Sequence, residues 1–124
     1  MTARKPVEWI GSSRGDLRAF PQEVRRVMGQ ALDDAQLGTE HPAAKALKGF
    51  GGRSVLEAVD DFDGDTFRAV YAVRFAGVVY VLHAFQKKSK KGIATPQREI
   101  QVIKAQLQRA EDHYQMNYLK GDGT

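Results

Sequence analysis

The stretch SVLEAVDDFDGDTFRAVYAVRFAGVVYVLHAFQ, residues 54–86, determines the fold of this 124-residue chain. Runs rich in Val, Tyr and Phe are separated by two glycine-containing turns, Asp63-Gly64-Asp65 and Ala76-Gly77. Aspartate–glycine turns between runs of this composition are typical of antiparallel hairpins. The stretch therefore predicts a three-stranded antiparallel meander, with strands over residues 54–62, 67–75 and 78–86.

The third of these runs is almost continuously apolar from Val78 to Phe85 and is interrupted by His83. A strand with one face in water alternates apolar and polar residues, whereas a strand covered on both faces does not need to. We therefore expect this strand to occupy a central position in the sheet.

Upstream of the meander, apolar residues recur every three or four positions, as on one face of a helix. Pro21 cannot lie in the middle of that helix without the loss of a hydrogen bond. The pattern therefore predicts a short turn followed by a main helix with Pro21 in its first turn, ending at Gly38. The apolar positions are Leu17, Phe20, Val24, Met28, Ala31 and Ala35.

Downstream of the meander, Thr95 and Pro96 predict the start of a second long helix, with Thr95 as N-cap and Pro96 in the first position. This helix should end within residues 115–119. Its apolar face is formed by Ile100, Ile103, Leu107, Ala110 and Tyr114.

The remaining segments complete a single-domain prediction for residues 1–124. Residues 7–10 form an edge strand, residues 39–52 a loop with a helical turn over 43–47, and residues 120–124 a flexible tail. The order of elements indicates an α+β fold, in which a small antiparallel sheet has its helices packed on one face. The other face of the sheet would be partly open.

Composition excludes several classes of protein. The chain has no cysteine, so disulfides and thiolate metal sites are absent, and the spacing of its three histidines does not suggest a metal site. No cofactor is expected. There is no signal peptide and no apolar run of membrane-spanning length, which predicts a cytoplasmic protein without membrane contact.

The net charge is +4, from 19 Lys and Arg against 15 Asp and Glu. Four of the lysines are concentrated directly after the third strand, at Lys87, Lys88, Lys90 and Lys91. A basic block of this kind attracts polyanions, and lysine contacts to a nucleic-acid backbone position the ligand without reading its sequence.

Several of these segments together resemble a known family. The stretch DGDTFRAVYAV, residues 63–73, is similar to the arginine-containing strand of toxins of the RelE/ParE superfamily. The strand VYVLHAF, the run QKKSKK and the helix start TPQREI follow in the same order. The string HAFQKKSKK is similar to the phage-derived, HigB-like branch, and the resemblance covers roughly residues 5–115.

The resemblance implies the toxin of a type II toxin–antitoxin system with a small RelE-like domain. RelE-type members are metal-independent endoribonucleases that cut mRNA on the ribosome, and a helix-turn-helix antitoxin usually neutralises HigB-like members. Two alternatives remain open at this point. One is a non-enzymatic inhibitor, acting on gyrase as ParE does or on another host protein, and the other is a non-toxic RNA-binding module.

The cleavage hypothesis assigns catalytic roles to Arg68, Lys87, Lys88 and His83. Cleavage at a 2′-hydroxyl needs a base, cationic stabilisation of the phosphate and a proton for the leaving oxygen. The resemblance places Arg68 at the scissile phosphate and a basic residue directly after the third strand. His83 is a candidate base, with a structural role in the strand as its alternative.

Four further residues are candidates for binding RNA. Lys90 and Lys91 would hold its backbone, and Tyr71 and Phe85 would stack on bases, with core packing as the alternative for these two aromatics. A solvated Arg68 paired with Asp60 or Asp61 is the alternative to its catalytic role.

The sequence departs from RelE at two places. The strand before the arginine strand carries Glu57, Asp60 and Asp61 and no lysine, and no tyrosine occurs between the basic run and Tyr114. Cleavage by this chain would therefore use a sparser set of groups than RelE does.

Overall fold

A computed structural model of the protein describes residues 3–88 and 94–119. The α+β class predicted from the sequence is confirmed, with three helices and a five-stranded sheet. A π-helical turn, Gln115–Leu119, follows the last helix. In chain order the elements are β1 (Val7–Trp9), α1 (Ser13–Arg18), α2 (Gln22–Gln36), β2 (Ala44–Ala46), β3 (Val55–Phe62), β4 (Asp65–Ala72), β5 (Val79–Lys87) and α3 (Gln97–Tyr114).

The predicted meander is present as β3, β4 and β5, which pair antiparallel in sequence order. The hairpin between β3 and β4 turns at Asp63 and Gly64, whose φ angles are 53° and 86°. Two consecutive residues in the left-handed region match the twist of the flanking strands, which explains the aspartate–glycine pair at this position.

The full sheet has the order β1-β5-β4-β3-β2. The short strand β1 forms one edge, as predicted, and pairs parallel to β5. Strand β5 is therefore an interior strand, flanked by β1 and β4, and most of its residues are buried. The strand at the centre of the sheet is β4.

The other edge corrects the prediction for residues 43–47, where a helical turn was expected. Residues Ala44–Ala46 form β2, which pairs antiparallel with β3 and sets Lys45 opposite Glu57. The free edge of β3 offers unpaired N–H and C=O groups, and pairing with them outweighs the weak helical preference of three residues.

The placement of the helices also differs from the prediction that they pack on one face. Helices α1 and α2 pack on one face of the sheet, while α3 packs on the other. The strands are apolar on both faces: in β3, Leu56 packs towards α1 and α2, and its neighbour Val55 packs towards α3. A sheet of this kind needs cover on both sides.

The helix ends lie close to their predicted positions. Pro21 and Pro96 are the N-cap residues of α2 and α3, one position before the first turn in which they were expected. Gly38 follows the end of α2 with a φ of 85°. The predicted tail, residues 120–124, and residues 89–93 lie outside the described part of the chain. None of the described helices combines the length and hydrophobicity needed to cross a bilayer.

Candidate functional site

A cleft of about 510 Å³ opens on the α3 side of the sheet. We call it the lysine cleft. One wall is β2 with the segment that follows it, the other wall is the first half of α3, and the floor is formed by β3 and β4. Its lining residues are Lys45, Ala46, Leu47, Lys48, Gly49, Phe50, Glu57, Arg68, Ala94, Thr95, Gln97, Ile100 and Lys104.

The floor of the lysine cleft is a closed ring of three polar side chains. Arg68 Nη1 lies 3.3 Å from each carboxylate oxygen of Glu57 and donates to Thr95 Oγ1 at 3.1 Å. The Thr95 hydroxyl donates in turn to Glu57 Oε2 at 2.8 Å. Both charged side chains are about 1% exposed, so the ring ties β3 and β4 to the residue before the N-cap of α3.

The rim of the lysine cleft is cationic. Lys45 on β2, Lys48 just after it and Lys104 on α3 are all exposed. Within residues 3–88 and 94–119, none of these three lysines has a carboxylate at salt-bridge distance. Among the described residues, four cations and one anion line the cleft, which gives this lining a net charge of +3.

A row of candidate residues runs along β5 beside this floor. The register pairs Arg68 with Phe85, which makes His83 and Lys87 the diagonal neighbours of Arg68 on the same face of the sheet. Diagonal Cβ atoms in an antiparallel pair are about 7–8 Å apart, within reach of long side chains. Arg68, His83, Phe85 and Lys87 therefore share one face, next to the lysine cleft.

His83 is held in a fixed orientation within that row. Its Nε2 atom lies 2.7 Å from Glu99 Oε1 on α3, and its ring stacks on Phe85 with 5.0 Å between ring centroids. A carboxylate bonded to one ring nitrogen fixes the tautomer and leaves the other nitrogen for chemistry. A neutral His83 that donates from Nε2 to Glu99 presents Nδ1 as a proton acceptor.

The arginine strand and the cleft floor lie in a region that matches a protein-family model. That model, described as phage-derived protein Gp49-like, covers residues 15–108. The chain belongs to the Gp49-like family. This is a RelE/ParE-like toxin-type family, which agrees with the broader resemblance found in the sequence. No curated protein and no solved structure matches the chain.

In this Gp49-like protein, several predicted site residues lie elsewhere. Tyr71 is fully buried on the face covered by α1 and α2, where burial raises the pKa of its hydroxyl to about 12. Tyr71 therefore lies in the hydrophobic core, and core packing was the alternative to base stacking for this residue. Lys88 is exposed just beyond the end of β5. Lys90 and Lys91 lie outside the described residues.

The ion-pair partner of Arg68 also differs from the expected Asp60 or Asp61. Arg68 is buried and pairs with Glu57. The reason is the register, which sets Arg68 opposite Val59 and so puts Glu57 and Asp61 on its face and Asp60 on the other. Asp61 is engaged by the Thr66 hydroxyl at 2.8 Å.

Sequence reasoning missed the three rim lysines and the role of Glu57. Lys45 was assigned to a helical turn, although the alternation Ala44-Lys45-Ala46 is also that of a short strand with one residue facing out. Lys104 follows Ile100 by four positions, which places it on the same side of α3. The spacing of Ile100 and Lys104 can be read from the sequence. The position of β2 opposite this side of α3 cannot.

Proposed function

We propose that this Gp49-like protein is the toxin of a type II toxin–antitoxin system, of the HigB-like branch, and that it inhibits translation by cutting mRNA on the ribosome without a metal ion. One observation carries the proposal. The strand arginine, an oriented histidine and the first lysine of the basic run occupy a single face of the sheet, beside a cleft with a net charge of +3.

These groups match the three chemical tasks of RNA cleavage. Nδ1 of His83, with the ring oriented by Glu99, removes the proton from the 2′-hydroxyl, whose oxygen then attacks the adjacent phosphate. Lys87 stabilises the charge that develops on the phosphate oxygens and, as an ammonium, is the proton donor for the departing 5′-oxygen. Lys88, just beyond the end of β5, contacts the adjacent phosphodiester backbone of the RNA.

Arg68 supports this chemistry from the neighbouring strand. Its guanidinium pairs with Glu57 on β3, so its contribution to the reacting phosphate is smaller than that of an uncompensated arginine. The proposal also includes a helix-turn-helix antitoxin as the partner, which rests on the family resemblance, and the cytoplasm as the site of action, which rests on the sequence features given above.

The test is induced expression in cells, with mapping of mRNA 5′ ends. The variants are His83→Ala and the pair Lys87→Ala with Lys88→Ala. The matched control, Arg25→Ala with Arg26→Ala, removes the same two charges from exposed positions on α2, across the sheet. We expect new cuts within translated messages for the wild type and the control, and none for the lysine pair.

Three results would contradict the cleavage mechanism. Growth arrest without new cuts would indicate a non-enzymatic inhibitor, of gyrase or of another host protein. Cuts that persist in both His83→Ala and the lysine pair would show that the chemistry lies elsewhere on the molecule. Absence of any growth arrest, with the protein present and folded, would leave a non-toxic RNA-binding module.

A further inference from the structure

The rim of the lysine cleft carries an inference that extends the proposed function and rests on it for the identity of the ligand. We infer that Lys45, Lys48 and Lys104 hold the phosphodiester backbone of single-stranded RNA, and that Arg68 is a positioning residue in the floor beneath them. The subsite is thus separate from the row on β5 that carries the proposed chemistry.

The distribution of charge distinguishes the phosphate-binding role of the rim lysines from the positioning role of Arg68. Arg68 is about 1% exposed and its charge is countered at 3.3 Å by Glu57, so it attracts an incoming phosphate less strongly than an exposed lysine without a carboxylate partner does. The three rim lysines are exposed and, within the described residues, have no carboxylate partner. An incoming phosphate therefore contacts the exposed lysines first. Its binding breaks no ion pair that these lysines already make within the described residues.

The shape of the cleft indicates the kind of ligand. A volume of about 510 Å³ between a helix and the edge of a sheet is that of a small-ligand site, with room for a nucleotide or two of a single strand. Lysine is a point charge on a flexible stem, which suits phosphate contacts that position a strand without reading its bases. Phe50 and Ile100 provide apolar surface in the same lining, on which a base can lie.

The ring in the floor explains how the two walls are held together. Glu57 lies opposite Lys45 across the β2–β3 pair, and Thr95 lies two residues before the first residue of α3. Because Arg68 and Glu57 bind Thr95, they fix the wall that carries Lys104 relative to the wall that carries Lys45. This is the positioning role we assign to Arg68.

The first experiment measures binding of a fluorescein-labelled ten-nucleotide oligouridine by anisotropy, from 50 to 300 mM KCl. The test variant is Lys45→Gln with Lys48→Gln and Lys104→Gln. The matched control, Arg18→Gln with Arg25→Gln and Arg26→Gln, has the same net charge but loses exposed cations from α1 and α2, on the other side of the sheet.

Three phosphate contacts to a single strand contribute about −2 to the slope of log affinity against log salt. We therefore expect the lysine variant to lose about 2 units of slope and on the order of 100-fold in affinity at 50 mM salt. The control should keep the wild-type slope and stay within about threefold in affinity. Equal losses in both variants, or no loss in the lysine variant, would overturn the inference.

A second variant tests the role of Arg68. Glu57→Gln keeps the shape of the side chain and its ability to bond Thr95, but it removes the charge that counters Arg68. The net charge of the cleft rises by one, so the salt slope should steepen by about 0.7 and binding should tighten. An unchanged slope in a folded protein would contradict this assignment, because it would show that the charge of Glu57 does not limit what Arg68 contributes to binding.

A competition arm separates an RNA chain from a small anion. Inorganic phosphate, at matched ionic strength, should displace the oligouridine no better than chloride does, whereas displacement below 1 mM would make the cleft a small-anion site and overturn the assignment to RNA. These assays contain no ribosome. If the protein binds the oligouridine but cuts no mRNA in cells, this inference is supported and the proposed cleavage is refuted. If the lysine variant still cuts mRNA in cells, the proposed cleavage stands and this inference is refuted.

Discussion

Replacing Arg68 with methionine removes one member of the most deeply buried ion pair described in the protein. Both side chains are about 1% exposed, and the charged groups are 3.3 Å apart. With an effective dielectric constant of about 20, unit charges at that distance attract each other by about 5 kcal/mol. Methionine fills much of the arginine stem's volume but leaves Glu57 buried without its cation.

We expect Arg68→Met to lower the free energy of unfolding by about 3–5 kcal/mol, the usual cost of removing one partner of a buried pair. For a domain of 124 residues, about 4 °C of melting temperature corresponds to 1 kcal/mol, so the midpoint should fall by about 12–20 °C. Urea denaturation and thermal melting, both followed by circular dichroism, measure the two quantities.

Two further variants complete the measurement. Arg25→Met, at an exposed position of α2, should change stability by less than about 0.5 kcal/mol. Arg68→Met combined with Glu57→Met removes both charges, and such replacements are often neutral or stabilising. A loss below about 1 kcal/mol for Arg68→Met alone would refute the buried pair as described, and so would a double variant that is less stable than either single one.

The size of this effect bears on how functional variants are interpreted. A strand arginine in a RelE-like protein invites replacement by alanine as a test of catalysis. Here that change would leave a buried carboxylate uncompensated, so lost activity would follow from lost folding. Half-buried Lys87 and exposed Lys88, or the charge-compensated pair at 57 and 68, give a test in which no buried charge loses its partner.

Three further predictions concern stability. Ile103→Ala, at a fully buried position of α3, should cost about 2–5 kcal/mol in urea denaturation because it opens a cavity between α3 and the sheet. Tyr71→Phe should be neutral or raise the melting temperature, since the buried hydroxyl has no hydrogen-bond partner within the described residues; a clear loss would reveal one. Burial and neighbouring Asp61 raise the pKa of Asp60 above its unfolded value, so its ionisation opposes folding as the pH rises through that range. Asp60→Asn should therefore be more stable than the wild type at pH 7, with a gain that shrinks as the pH falls towards 3; a gain independent of pH would argue against this cause.

Most helices and strands of this protein follow from local chemistry. Turn residues at 63–65 and 76–77 delimit the meander, since aspartate and glycine accept the left-handed backbone that a tight hairpin requires. The proline positions define the helix starts to within one residue, because proline lacks the N–H that an interior position must donate. The face containing Ile100, Ile103, Leu107 and Ala110 was likewise readable from periodicity, and these residues form or pack against the core.

Tertiary structure alone decided where these elements lie relative to one another. Periodicity states which side of a helix is apolar but not which face of a sheet it covers, and β3, β4 and β5 offer apolar surface on both faces. The segment Ala44–Ala46 is a strand only because the edge of β3 supplies its hydrogen bonds. The partner of Arg68 depends on the register of β3 against β4, and the lysine cleft exists only where β2 and α3, about 50 residues apart in the chain, face each other across that pair. Local preferences act over a few residues, whereas ion pairs and clefts are set by which distant segments the shared core brings together.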